Sequence, residues 1–204
     1  MERTGYHHGD LREALIRATD EILAERGLEG FTLREAARRA GVSPAAPAHH
    51  FGSSAGLLTE VAILGFEELA RHITIDPAAP PLSPAERLKV QGIGYVRFAL
   101  AFPGRFHLMF RHDLLVADDE RLLAAGGAAK DALAGTIDAL RPQSEDQPSD
   151  AAVHPLLLGL WSTVHGFAHL VLDGKFSRIE GKKMPDHVLN DVLPAVLDAL
   201  LPKT

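Results

Sequence analysis

Arg34 is the first side chain here whose chemistry suggests a partner. Its planar guanidinium can fork onto the N7 and O6 of guanine, and the methyl groups of Ala45 and Ala46 can meet the C5-methyl of thymine. Ser53 and Ser54 can offer hydroxyls and backbone N–H groups to an anion at a helix start. His49 and His50 can donate to phosphate, and His50, beside Phe51, can equally pack beneath its helix. A second group of histidines, His107, His112, His154, His165 and His169, lies further along. His165 and His169 are spaced i, i+4, a spacing that can chelate zinc or another divalent metal. No HExxH pattern or carboxylate partner accompanies them. The chain has no cysteine, which excludes disulfides, thiolate metal sites and a Cys nucleophile. Nothing reads as a catalytic set, and no cofactor or metal is implied.

The elements that must position Arg34 and its neighbours lie in FTLREAARRAGVSPAAPAHHF, residues 31–51. Thr32 and Glu35 form a capping box for a first short helix, which Gly41 stops. Ser43 is the expected cap of a second, with Pro44 at its first helical position. Leu33, Ala36, Ala37, Val42, Pro47 and Phe51 are expected to hold the pair at the fixed angle of a helix-turn-helix. Before it, a helix capped by Asp10 and stopped by Gly27 should bury Leu11, Leu15, Ala18, Ile22 and Leu23 on one face. Tyr6, His7 and His8 read as an arm. After it, a fourth helix begins near Ser53.

The stretch DPAAPPLSP, 76–84, is the clearest boundary, because its prolines cannot continue a helix. We divide the chain into a helix-turn-helix domain (1–52), a connecting helix (53–75) and a larger helical domain (76–204). In the last, Ser83 caps a helix with Leu88, Ile93, Val96 and Leu100 inward, ended by Pro103 and Gly104. A short helix, RFHLMFRHDLLV, follows. Gly126 and Gly127 predict a weak point in the next helix, which carries Leu122, Leu123, Leu133, Ile137 and Leu140. The polar run at 142–150 reads as an exposed loop. Gly159 and Gly166, in the following helix, would let another helix approach closely.

That helix is apolar nearly all round, which implies burial on more than one side. The last helix carries Val188, Leu189, Val192, Leu193, Val196, Leu197 and Leu200, a stripe too wide for one neighbour. Two such helices from each of two subunits would make a four-helix bundle, and these seven residues are the expected dimer interface. The alternative is a monomer that buries both faces internally.

Composition fits such a molecule: 204 residues, 46% hydrophobic, are enough for two cores. The N-terminal MERTGYHHGD lacks the apolar run of a signal peptide, and no stretch reaches about 18 uninterrupted apolar residues. A cytoplasmic protein with no membrane partner is expected. Charge speaks against nucleic acid. Residues 1–64 hold seven arginines, no lysine and nine acidic residues, the opposite of the usual sign. Clustering of Arg34, Arg38 and Arg39, with the acids on the first helix, would restore a positive face.

Residues 6–43 (YHHGDLREALIRATDEILAERGLEGFTLREAARRAGVS), the HHF at 49–51 and Leu57–Leu58 together resemble the TetR family of one-component bacterial repressors. WSTVHG, 161–166, resembles the C-terminal signature of a TetR subfamily named for Trp, His and Gly. The resemblance implies an all-α fold and double-stranded DNA as partner, bound by a homodimer on a palindromic operator. It also implies a small-molecule effector that releases the DNA. In the family an aromatic residue, usually Tyr, precedes the HF pair by two positions and touches phosphate, and a Lys often opens the next helix; here these are Ala48 and Ser54. The expected DNA-contacting set is Thr32, Arg34, Ser43, Pro44, Ala45, Ala46, Ala48, His49, His50, Ser53 and Ser54.

The expected effector pocket, chosen for side-chain size and position, comprises Phe102, Phe106, Met109, Phe110, Trp161 and His165. Trp161 and His165 share a helix face, where they either line a cavity or serve as core packing. The leading expectation is a ligand-released repressor. Its alternatives are a ligand- or partner-binding helical dimer with a vestigial reading head, or a histidine-based metal sensor.

Overall fold

A computed structural model of the chain describes residues 8–76, 78–139, 155–176 and 187–201. Tyr6, His7, Leu140, His154 and the polar run at 142–150 lie outside the described residues. All regular structure among the described residues is helical, as the apolar periodicity requires. The helices are α1 (His8–Arg26), α2 (Leu33–Arg39), α3 (Ala46–Phe51), α4 (Ser54–Ile73), α5 (Pro84–Ala101), α6 (Pro103–Leu108), α7 (Glu120–Asp138), α8 (Pro155–Leu172) and α9 (Leu193–Leu200). A π-helical turn, Val188–Val192, leads into α9.

Packing divides the chain into two compact units, neither continuous in sequence. The first comprises Met1–Glu67 with Phe102–Gly126, the second Glu68–Ala101 with Gly127–Thr204. The proline-marked boundary near residue 76 is therefore a break in the helices rather than in the packing. α4 and α7 each contribute to both units. α7 runs unbroken through Gly126 and Gly127, so the expected weak point does not interrupt the helix.

In the first unit Leu15, Ile22, Ala36 and Leu57 are fully buried, with Leu11, Ile16, Phe31, Leu33, Ala40, Val42 and Phe51 packed around them. The backbone is already helical at His8, so Asp10 lies inside the first turn rather than capping it, and His8 is helix rather than arm. Gly104 of α6 lies on the backbone of α1, where a Cβ would stand 2.7 Å from the Leu23 carbonyl carbon. Arg105 secures that contact with two bonds to Asp20, at 2.8 and 2.5 Å. Glu60 of α4 clasps Arg12 of α1 at 2.5 Å and Arg121 of α7 at 2.7 Å. Burial would raise the Glu60 pKa, but hydrogen bonds from Arg121 and Arg12 outweigh it and hold the group below its ordinary value.

The second unit is built around α5, whose start is fixed by reciprocal bonds: Ser83 N–H donates to Glu86 at 2.8 Å and Glu86 N–H to Ser83 Oγ at 3.3 Å. α8 and α9 both pack on α5. α5 buries more than its hydrophobic stripe, for Gln91 and Tyr95 are inside with Leu88, Val96, Phe98 and Ala99. Gly94 is where α5 meets the end of α4: a Cβ there would stand 2.2 Å from the His72 carbonyl oxygen.

Three residues of the expected dimer stripe turn inward within the chain. Val188, Leu193 and Leu197 are 0% exposed, and the missing side chain of Gly92 makes room for Leu197, which an added Cβ would approach to 3.0 Å. Leu189, Val192 and Val196 are not fully buried, and Leu200 is exposed. On α8, Leu158, Trp161 and Leu170 are exposed, and nothing lies within 4 Å of a Cβ built at Gly159 or Gly166. Among the described residues, no helix of the same chain lies against those glycines. α8 is long and apolar enough to cross a membrane, with a mean hydropathy of 1.4, although Leu160, Val164, Phe167, Ala168 and Val171 are buried.

Candidate nucleic-acid interface and effector cleft

α2 starts on the Thr32 hydroxyl, which accepts from Glu35 N–H at 3.1 Å. It ends at Gly41, whose φ of 68° suits glycine. There Val42 N–H donates to the Ala37 carbonyl and Gly41 N–H to that of Arg38, a Schellman closure. α3 begins later than the cap residues suggest. A helix capped at Ser43 would need the N–H of residue 47 to reach the Ser43 carbonyl, and Pro47 has none. Ala46 N–H takes that carbonyl instead, at 3.0 Å, so Ser43 to Ala45 form a turn. Ala45 stands at the N-cap without a side-chain bond, and Pro47, not Pro44, lies in the first helical turn.

Gly52, at φ 73°, closes α3. Ser53 then caps α4, its Oγ accepting from Gly56 N–H at 3.1 Å, and Ser54 is the exposed first residue. Gly56 is required here, since a Cβ would stand 2.0 Å from the Phe51 carbonyl oxygen. Ser43, Pro44, Ala45, Ala48 and His49 are exposed, Ala46 and His50 half-buried. The His50 ring lies 6.4 Å from that of Phe51, and the Arg12 guanidinium stacks over Phe51 at 5.5 Å.

The arginines do not form the free cluster that their spacing suggested. Glu35 receives Arg38 through two bonds of 2.7 Å and Arg39 through one of 3.3 Å. Arg39 also reaches Glu25 at 2.5 Å. The Arg38 hydrogen bond leads in holding the Glu35 carboxyl down at about 2. Hydrogen bonding to Glu25 and Glu35 raises the Arg39 pKa despite partial desolvation. Arg34 is different: it is exposed, and among the described residues no carboxylate pairs with it. Arg34 is the cation that α2 leaves available.

In the second unit α5, α7, α8 and α9 enclose a cleft. Leu88, Gln91, Gly92, Tyr95, Leu133, Ile137, Leu157, Leu160, Trp161, Val164 and Leu197 line it. Its cavity volume is only about 20 Å³, room for a single water. Tyr95 lies between two α8 side chains. Trp161 Nε1 donates to its hydroxyl at 3.4 Å, and that hydroxyl is 2.8 Å from His165 Nδ1. Burial pushes the Tyr95 pKa up, so the phenol stays protonated.

Of the six residues expected to form a pocket, Trp161 lines this cleft and His165 stands behind it through Tyr95. Phe102, Phe106, Met109 and Phe110 belong to the first unit, where Phe106 and Met109 are core and Phe110 packs edge-on to Phe66 and Phe106. Side-chain size selected them, but the chain turns them into the other unit. Gln91 and Tyr95, which the sequence reading does not place at a pocket, line the cleft. The available signal was two polar residues, four apart, on the apolar face of α5. The His165 and His169 rings lie 4.8 Å apart, but no group of three metal-ligating side chains occurs among the described residues.

Two family models match the sequence. Residues 88–196 match the tetracyclin repressor-like C-terminal domain and residues 15–61 match the tetR family of bacterial regulatory proteins. The chain belongs to the TetR family. Its helix-turn-helix is therefore the DNA-binding element of a transcription regulator. No curated protein matches the chain. Among solved structures, a protein of unknown function from Rhodococcus sp. RHA1 is 28% identical, covering 97% of each chain with a TM-score of 0.75. LfrR from Mycobacterium smegmatis, in complex with proflavine, is 16% identical over 96% of this chain and 99% of its own, with a TM-score of 0.63. PfmR from Thermus thermophilus is 18% identical over 92% and 96%, with a TM-score of 0.55.

Proposed function

We propose that this TetR-family regulator is a homodimeric repressor that binds a palindromic operator and leaves it when a small molecule occupies the cleft on α5. The observation that carries the reading is the pairing of an exposed, carboxylate-free Arg34 on α2 with an apolar cleft in a separate unit. Arg34, Ala45 and Ala46 read bases; Ser53 and Ser54 meet phosphate at the start of α4. The unfilled apolar faces of α8 and α9, with Leu158, Leu170 and Leu200 exposed, are the dimer surface, and the open flanks of Gly159 and Gly166 suit close approach of a second copy. Membership of the Trp-His-Gly subfamily is part of the proposal; the WSTVHG stretch and the 5.9 Å Trp161–His165 ring pair support it.

Release is a shift between conformations. Emptying a mostly occupied operator requires the effector to favour the released form by roughly 5 kcal/mol. That the LfrR structure holds proflavine supports a small-molecule site in the same fold. The test is a gel shift of the full chain on its gene's own upstream region, with sedimentation to count subunits. Absence of any shifted complex at low salt would overturn the repressor reading. It would favour a dimer with a vestigial head, to which the pairing of Arg38 and Arg39 with Glu35 and Glu25 already lends weight.

A further inference from the structure

Gln91, one of the residues that line the cleft, carries a buried polar atom without a partner. Gln91 is 4% exposed. Its Nε2 donates to the Ala132 carbonyl at 3.1 Å, which fixes the amide's orientation, because only the amino end can serve a carbonyl. Oε1 is thereby left buried with no hydrogen-bond partner. Proteins satisfy nearly all such atoms, since an unmet buried acceptor is costly.

The rest of the cleft defines what could meet it. Leu88, Leu133, Ile137, Leu160, Val164 and Leu197 supply hydrocarbon, and no Asp, Glu, Lys or Arg is among the lining residues. A charged ligand would leave water with no opposite charge to receive it. The Tyr95 hydroxyl already accepts from Trp161 and pairs with His165, whereas Gln91 Oε1 has no partner at all. The cavity volume of about 20 Å³ is far below the roughly 300 Å³ at which ligand sites begin. Entry therefore requires the mouth residues Leu157 and Trp161, half-buried and exposed, to give way, and a compact ligand asks for the least movement.

We propose that the cleft binds a compact, uncharged, largely apolar molecule bearing a hydroxyl group, an alcohol or a phenol, and that Gln91 Oε1 accepts its hydrogen bond. This rests on the reading of the cleft as the effector site. It adds the effector's chemical class and the residue that selects it.

The test is isothermal titration calorimetry of the full chain with 4-ethylphenol, ethylbenzene and 4-ethylbenzoate. 4-Ethylphenol should bind about ten-fold or more tighter than ethylbenzene, as expected when a buried acceptor gains its partner. 4-Ethylbenzoate should give no detectable heat. In Gln91→Leu, checked for native helicity by circular dichroism, the preference for the phenol should fall to within about two-fold. Equal binding of phenol and ethylbenzene by the unaltered protein would overturn the proposal, as would a preference that survives Gln91→Leu. Binding of neither would overturn it too, leaving Gln91 Oε1 to a water. The comparison between ligands needs no variant, so it decides even if Gln91→Leu does not fold. A gel shift on the same preparation separates the two readings: a missing operator complex removes the repressor and leaves the calorimetry standing.

Discussion

Replacing Ser54 by lysine tests whether the start of α4 faces DNA. Ser54 is exposed at the first position of the helix, and the cap bond is made by Ser53, not Ser54, so the substitution leaves the cap in place. A cation there opposes the helix dipole at a cost of about 0.3–1 kcal/mol, visible as a small fall in Tm. One new lysine per subunit is two per dimer, and each phosphate neutralised adds about 0.9 to the slope of log affinity against log salt. The slope should steepen by about 1.8, so that a roughly four-fold rise in salt weakens the variant about twelve-fold more than the unaltered protein. Fluorescence anisotropy on a confirmed operator, repeated across salt concentrations, measures this directly. The effect should be the same on specific and scrambled DNA, because phosphate contacts carry no base information. An unchanged slope in a folded variant would refute the placement of this helix end on the backbone.

Arg34→Ala should cost about 1–3 kcal/mol at one base position and relax specificity there, measured by binding to single-base operator variants; uniform weakening would make Arg34 a phosphate contact instead. Glutamate at both Leu158 and Leu170 should give a folded monomer by sedimentation, because both are exposed in the single chain, and a persistent dimer would move the interface elsewhere. Truncating Leu193 or Leu197 to alanine should instead lower unfolding stability by about 2–5 kcal/mol, since both are fully buried in their own unit. Glu35 is held at about 2 against an ordinary 4.5, chiefly by Arg38. A depressed carboxylate contributes stability that is complete above about 4.5 and is lost as pH falls from there through about 2. Urea midpoints should therefore drop more between pH 5 and pH 2 in the unaltered protein than in Glu35→Gln, and parallel curves would disprove the contribution.

The local code was legible because its causes are local. Thr32 capping Glu35, the glycine closure at Gly41, the Ser83–Glu86 box and the buried face of α1 each depend on residues within about one turn of one another. Where a local signal misled, another local rule had overridden it: Pro47 removes the N–H that a helix starting at Ser43 needs. What the sequence could not settle were meetings between distant segments. Arg39 and Glu25 are fourteen residues apart, and only the packing of α1 against α2 turns two opposed charge counts into a neutralised pair. Side-chain size marked Phe106 and Met109 for a pocket, yet residues 102–126 pack with the first unit, a partition that hydrophobicity alone does not encode. Gln91 reads in sequence as an interruption in an apolar stripe. Its role as an unmet acceptor arises only when α5, α7, α8 and α9 close around it and Ala132 takes its amino end, because satisfaction of a buried polar atom is a property of the assembled neighbours and not of the residue.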